Sequence, residues 1–487
     1  MNKFAGAVIV FSLVLPLARA AVDLDVTALG AKADGKTLDT AFIQKAIDEC
    51  SRQGGGVVKI PAGQYVCGTI LIKDHVTLQL DEHATLLGSL DIADYTAPDK
   101  FRSGNGAEMG DCFIGAVDAK NVGVIGAGVI DGRGKELLAA RPKGKNARPF
   151  LMRFVRCDGV SLKGIQLQGP AAWTTHFFQC KNVAAERVTI ASRGLANNDG
   201  FDIDSSENVR IKNCTVDSGD DAVCLKTTSL MPCRNVEVSG CDLKSHWGGV
   251  KFGTESVADF ENVRISDCRI HDTQGGIKLF SVDGANVRNI SFAGLTMENV
   301  NTPVFIRLGA RLKTFREGDA PRPVGSISNV VIKDLKAQAT SAIGILISGI
   351  PGHVINGVRL ENIAMKLPGG GVRPNKSMVL PEKENAYPEI TMFGKGLPAY
   401  ALYARHVTDL VATNITMELA APDLRPAIFC EDSENLEFSK WKTPTDAEAD
   451  CLIYFQGVRR AIIKDFPYEG KLRAFINSEG SDQIEGK

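Results

Sequence analysis

The chain has 487 residues, with 56 Lys plus Arg against 57 Asp plus Glu and a formal net charge of -1. So balanced a composition creates no global field that would draw the protein to nucleic acid or to an anionic membrane surface. Length leaves room for several domains, but large β folds often run as one unit, so the domain count must come from the pattern.

The first twenty residues carry Lys3, an apolar run from Ala5 to Leu17 and the small-residue triplet "ARA" ending at Ala20. This is the layout of a secretory signal, and the run is too short to cross a bilayer, which takes roughly 20 apolar residues. The remainder, 21–487, is expected to be exported, periplasmic or extracellular, without membrane insertion, and a monomer.

In "DTAFIQKAIDECSRQGGG" apolar residues recur at three to four and glycines follow, which predicts a helix near Thr40 to Arg52 with Asp39 or Thr40 as its N-cap. At the head of the mature chain, such a helix suits the plug that a solenoid needs over its first coil.

After residue 55 the pattern changes to short Val- and Ile-rich alternating runs separated by Gly, Asn and Asp, which is strand and turn chemistry. "NVRIKNCTV" at Asn208, "NVEVSGCDL" at Asn235 and "NVRISDCRI" at Asn262 repeat every 27 residues, and weaker copies begin at Asn121, Gly159, Asn182, Asn289 and Asn329. Repeats of this period mean a solenoid or array. With about three short strands per repeat, the fold expected is all-β, a single right-handed parallel β-helix from 21 to 487. Of the twelve cysteines, Cys214, Cys241 and Cys268 fall at one repeated position and are expected as a stack of buried thiols. Cys224 with Cys233, and Cys430 with Cys451, are the candidate disulfides of an exported chain.

Stacking turns sequence spacing into geometry, because equivalent residues of successive coils lie at the strand spacing of about 4.8 Å. Aligning "GFDID", "AVCLK", "GVKFG" and "GIKLF" puts Phe201, Val223, Val250 and Ile277 in one inward column, and Ile203, Leu225, Phe252 and Leu279 in another. Asp202, Cys224, Lys251 and Lys278 then point outward, and Asp204 shares a column with Lys226, where an ion pair is expected. Asp199 and Asp221 stack on neighbouring coils with Asp220 beside them. Unpaired, these acids would repel and raise one another's pKa. That arrangement suits hydrolysis of a glycosidic bond, one acid protonating the leaving oxygen while others polarise a water. Lys251 and Lys278 would offer positive charge to an acidic sugar.

These motifs resemble glycoside hydrolase family 28, the polygalacturonases and their relatives. "NNDGFDID" resembles the family's Asn-Thr-Asp-Gly motif with Asn198 in place of Thr, "GDDAVCLK" its Asp-Asp motif, and "GAGVIDGRG" and "RPFLMRFVRCDGVSLKGIQLQGPAAWTTHF" its upstream coils. The resemblance implies metal-independent, inverting hydrolysis without a cofactor, acting on acidic plant cell-wall polysaccharide or oligosaccharide. Asp220 would be the general acid, with Asp199 and Asp221 holding the water. Where the family has Gly-His-Gly the chain reads "SHWGG", which leaves His246 as either a site residue or a loop residue. Where the family has Arg-Ile-Lys it reads "GGIKLF", so one cation is missing and Lys278 is retained. These departures keep rhamnogalacturonan-type and exo-acting hydrolysis open beside ordinary polygalacturonan cleavage. A Ca²⁺-dependent lyase or a non-catalytic glycan binder would also fit this architecture.

Asp202 faces the same groove as a secondary candidate. Arg307, outward on the following coil, would bind a carboxylate or pair with a neighbouring acid. Five cations between Lys135 and Arg148 form a basic loop, either simply solvated or a lip for an anionic polymer. The segment from Glu384 to Val407 interrupts the repeat with Tyr387, Phe393 and Tyr400, which would stack on sugar or close the solenoid.

Overall fold

The computed structural model describes residues 22–486 apart from 103–105, 107, 145, 375–379, 395, 445, 447 and 468–473. The apolar leader expected at 1–20 lies outside the described residues. No helix among those described is long and apolar enough to cross a membrane.

Each strand of the central coils pairs in parallel with the strand three elements later, so three strands make one turn and three ladders run along the molecule. The first ladder holds Phe150–Val155, Thr175–Phe178, Phe201–Asp204, Val223–Thr227 and Gly248–Ser256. The second runs through Lys181–Glu186, Glu207–Lys212, Cys233–Ser239 and Phe260–Ser266, and the third through Thr189–Ser192, Thr215–Ser218 and Asp242–Ser245. This is a parallel β-helix. Farther on, strands bend through the corners without a break, as in Asn286–Leu308.

The interior is filled by the columns that the alternation predicts. Phe201, Val223, Val250, Ile277 and Val304 are successive partners and all are fully buried. Each large apolar side chain so buried contributes roughly 1.5–3 kcal/mol. Helix α1, Thr40–Arg52, turns Ile43, Ala46, Ile47 and Cys50 inward and packs on the first strands, Val22–Asp25 and Gly56–Ile60. Asp39 stands at the N-cap as expected, its carbonyl accepting from the Phe42 and Ile43 amides at 3.1 and 3.2 Å. Its carboxylate, however, is turned to the Lys32 and Ala33 amides at 2.8 and 3.0 Å, and Thr40 Oγ1 accepts from the Gly68 amide at 2.9 Å.

All twelve cysteines are buried free thiols. Cys214, Cys241 and Cys268 stack as the repeat requires, the Cys214 amide donating to Cys241 Sγ at 3.4 Å. The two candidate disulfides are therefore corrected. Cys224 faces outward, its thiol donating to the Gly253 carbonyl at 3.1 Å, whereas Cys233 points into the core and donates to the Ile203 carbonyl at 3.6 Å. Cys430 lies opposite Phe455, four residues beyond Cys451.

The repeated asparagines make a ladder of their own. Asn208, Asn235, Asn262 and Asn289 all have φ between 55 and 59°, a left-handed conformation that Asn tolerates better than other side chains. Each Nδ2 donates to Oδ1 of the preceding rung: Asn235 to Asn208 at 3.1 Å, Asn262 to Asn235 at 3.2 Å and Asn289 to Asn262 at 3.0 Å. Replacing Asn235 by Ala keeps the positive φ but adds backbone strain and breaks two rungs. We expect a loss of about 1–3 kcal/mol in denaturant unfolding, with Asn235→Gly less harmful than Asn235→Ala.

Candidate active site

The turns that precede strands Phe201–Asp204 and Val223–Thr227 bring the acids together. The Gly200 amide donates to the Asp221 carbonyl at 2.8 Å, which places Asp199 and Asp221 on adjacent coils as the spacing predicts. Asp199, Asp220 and Asp221 each offer a carboxylate oxygen within 4.8 Å of the others. On the next coil Gly248 stands beside Asp221, and a Cβ there would come to 2.5 Å from Asp221 Oδ1. Only glycine leaves this carboxylate its room. Asp220 Oδ1 accepts from the Asp221 amide at 3.0 Å, which fixes the two carboxyls of the Asp-Asp turn relative to each other.

The cluster opens on a cavity of about 520 Å³ whose wall includes Arg148, Trp173, Lys226, Trp247, Arg311 and Tyr387 as well as the three acids. Burial, followed by the charges of Asp202 and Asp220, pushes the Asp199 carboxyl well above the usual range. Burial, followed by the Asp221 charge, raises Asp220. Like charges brought together in a dry site favour retention of a proton.

Two lysines hold the remaining charge. Lys226 Nζ lies 3.5 Å from Asp199, 3.4 Å from Asp202 and 3.4 Å from Glu255, and 4.4 Å from the centre of the Trp173 ring. Burial disfavours its charge, yet the surrounding acids keep its pKa above the ordinary lysine value. Lys251 donates to Asp221 at 2.8 Å and to Tyr387 Oη at 3.4 Å, so it is tied to the acid cluster. The three catalytic candidates have the spacing to hold a divalent cation, with the two ammonium groups already competing for the same oxygens.

The other candidates are dispersed. Asp202 is fully buried beneath Lys226. Lys278 is partly buried in a neighbouring cavity of about 150 Å³, to which Trp247 also contributes a wall. Its Nζ sits 4.1 Å from the Trp247 ring centre, and burial brings its pKa down to about 8. His246 is exposed and does not line the main cavity; its backbone amide donates to the Ser218 carbonyl at 3.0 Å. Arg307 is 1% exposed and stands on the wall of neither cavity. Its guanidinium donates to Ser348 Oγ at 2.6 Å and to the Gly349 and Glu382 carbonyls at 2.9 and 2.7 Å.

The Asp204–Lys226 pair is corrected as well. Although the two residues are register partners, Asp204 accepts from the Thr228 amide and hydroxyl at 2.8 and 2.6 Å and lies 3.2 Å from His176 Nε2. Lys226 is drawn to the denser charge on its other side. Glu255 escaped the repeat alignment because its strand carries two extra residues: Phe252 pairs with Leu225, but Thr227 pairs with Ser256. The glycine in "FGTES" is the sequence signal for that bulge. Tyr387 lies in the segment without repeat periodicity. In the same segment Phe393 packs on Phe305, while the Tyr400 hydroxyl binds Thr443 Oγ1 and the Pro444 carbonyl, both at 2.7 Å.

The profile of glycosyl hydrolases family 28 matches residues 50–381. The chain is 29% identical over 249 residues to an exo-poly-alpha-D-galacturonosidase of Dickeya chrysanthemi, the match covering 41% of each chain. It is 32% identical over 211 residues to a probable polygalacturonase of Vitis vinifera, covering 41% of this chain and 43% of the relative. The matches thus span less than half the length of these curated relatives. Among solved structures, a family 28 exopolygalacturonase of Yersinia enterocolitica superposes with a TM-score of 0.66 at 18% identity, over 92% of this chain and 78% of that one. An exopolygalacturonase of Thermotoga maritima gives 0.59 at 22% identity, over 72% and 88%. These two likenesses concern the fold. The profile match takes in both acidic turns, and the chain belongs to glycosyl hydrolases family 28.

Proposed function

We propose that the protein hydrolyses glycosidic bonds in pectic, galacturonate-containing chains, with inversion at the anomeric carbon. The observation that carries this reading is the meeting of three aspartates, two of them with raised pKa values, on the wall of one cavity. Asp220 gives its proton to the glycosidic oxygen as the bond from that oxygen to C1 breaks. A water held by Asp199 and Asp221 attacks C1 and loses its proton to Asp221, whose carboxylate Lys251 holds at 2.8 Å, because Asp199 is the more strongly held toward its protonated form. The nearest carboxyl oxygens are closer than the roughly 6.5–9.5 Å separation usual for an inverting acid and base, so the water sits over the Asp199–Asp221 pair instead of between two distant groups. Lys278, in the neighbouring cavity, contributes to substrate binding. An exported location, supported by the apolar run from Ala5 to Leu17, and a monomeric state belong to the same proposal.

End-directed action is supported by the short length of open groove. Along the outward column, Asp202 is preceded by His176 and Arg153, both fully buried. They lie under Phe101, whose ring contacts Phe150 and His176 and stands 5.5 Å from the Arg153 guanidinium carbon. Asp99 on that same loop pairs with Arg316 at 3.0 Å. Lys278 is followed in the column by Phe305, Leu346 and Tyr403, which pack with Leu380, Phe393 and Leu397. A long polymer threaded through the middle would meet both covers. The exo-acting relatives named above add to this reading.

Asp220→Asn should lower kcat by at least about 100-fold, the usual worth of a positioned general acid, with an unchanged circular dichroism spectrum. Full turnover in that variant would overturn the assignment. Asp220 must be protonated, so activity is lost as pH rises through its raised pKa. Lys251 lowers that pKa, so Lys251→Met should move the basic limb of kcat/KM to higher pH. On polygalacturonate, reducing ends should accumulate well before viscosity falls, with mono- or disaccharide as the first product and the inverted anomer seen by NMR. An early collapse of viscosity would sink end-directed action.

A further inference from the structure

Five cations line the catalytic cavity: Arg148, Lys226, Lys251, Arg311 and Lys313. Lys226 and Lys251 are held by the acids beneath them, and Arg311 by Asp283, with Nε donating to Oδ1 at 2.9 Å. Arg148 differs. It forms no ion pair with any described residue; its guanidinium is held by neutral acceptors. Nε donates to the Ala171 carbonyl at 2.8 Å, Nη1 to Asn197 Oδ1 at 3.0 Å, and Nη2 to the Ala196 carbonyl. Three of its five N–H groups are thereby used and two are left.

The position of this guanidinium is specific. Asn197 and Ala196 belong to the turn that carries Asp199, so Arg148 is fixed to the catalytic turn itself. Burial, followed by the charge of Arg141, brings its pKa below the ordinary arginine value, with Asp199 and Asp220 acting the other way. A planar fork immobilised by three neutral acceptors, with donors to spare on a cavity wall, is preorganised for a carboxylate. The ordering of the side chain has already been met by the fold, which leaves more of the contact energy for a ligand.

We infer that Arg148 is the carboxylate-recognising residue of the catalytic cavity, taking the uronate group of the sugar bound beside the acids. This rests on the hydrolase reading above. Arg148 is a specificity residue here, not a proton donor. It also gives a defined task to the last cation of the basic segment expected as a loop from Lys135 to Arg148, whose first cation lies instead in the helix Gly134–Ala140. The competing role is general electrostatic balance of the acid cluster, which would act on any sugar alike.

The two roles separate in a binding cycle. With turnover disabled by Asp220→Asn, calorimetry is run on a galacturonate trisaccharide and on its methyl ester, with and without Arg148→Gln. If Arg148 reads the carboxylate, Arg148→Gln weakens binding of the acid about 10- to 100-fold more than binding of the ester, the range expected for a hydrogen-bonded charge. Arg148→Lys should fall between. Equal weakening of both ligands, or none of either, overturns the inference. Should Arg148→Gln unfold at lower temperature, Arg148→Lys carries the comparison, and equal effects on the two ligands would again overturn it. Failure of the unmodified protein to cleave the trisaccharide would sink the hydrolase reading, while the binding cycle still reports on Arg148.

Discussion

Each coil is hydrogen-bonded in register to the next, and everything else in the molecule follows from that constraint. Register fixes the distance between equivalent residues at about 4.8 Å, so a chemistry that needs neighbouring groups can be written by repeating a residue one coil later. Asp199 and Asp221 are such a repetition, and Gly248 is the place where the repetition is stopped so that Asp221 has space. The same register stacks Asn on Asn and Cys on Cys along the coil corners. A solenoid also lends rigidity, because the turns that carry the three acids run straight into strands paired on both sides, Phe201–Asp204 and Val223–Thr227.

The acidic cluster is costly to assemble, and the surrounding side chains show how the cost is met. Removing an ion from water carries an effective penalty of several kcal/mol that is offset only by well-placed counter-charge and hydrogen bonds. Lys226 spans Asp199, Asp202 and Glu255 from one side, while Lys251 takes Asp221 from the other. The compensation is incomplete: Asp199 Oδ1, Asp221 Oδ1 and both oxygens of Asp202 are buried without a hydrogen bond within the described residues. Of these, Asp199 and Asp221 stand on the cavity wall, and their unbonded oxygens are what a water or a sugar hydroxyl would find on entering, whereas Asp202 lies beneath Lys226. Beside them Asp204 and His176 show the opposite solution, a closed network in which burial holds the imidazole pKa down at about 4 and His176 and Thr228 hold the Asp204 carboxyl at about 2.

Much of this was legible in the sequence, for a physical reason. Within the repeat, the period of two decides which side chains face out, and the period of the coil decides which ones meet. Phe201, Val223, Val250 and Ile277 could therefore be aligned from their spacing alone, and so could Asp199 with Asp221. What the sequence hid lies where periodicity fails. Glu255 comes from a bulge that adds two residues to one coil. Of Tyr387, Phe393 and Tyr400, named together in the excursion outside the repeat, the sequence could not say that Tyr387 reaches the main cavity while the other two pack elsewhere. The expected Asp204–Lys226 pair failed differently: adjacency was right, but each side chain had stronger competitors within reach. Arg307 was placed outward correctly, yet a sequence does not reveal that another segment folds over that face.

The stack of unpaired thiols bears on how such a chain reaches its native state. In the finished molecule all twelve are shielded by the coil, so the native structure neither requires oxidation nor offers it a target. Before the coils close, however, the same twelve groups are available to one another, and any bridge formed then would join residues that the solenoid needs to keep on separate turns or facing different ways. If the protein matures in an oxidising compartment, coil formation and thiol oxidation are in a race. Coils that add one by one to a growing end, each contacting only its neighbours, bury their thiols in sequence, which makes the order of assembly a form of protection.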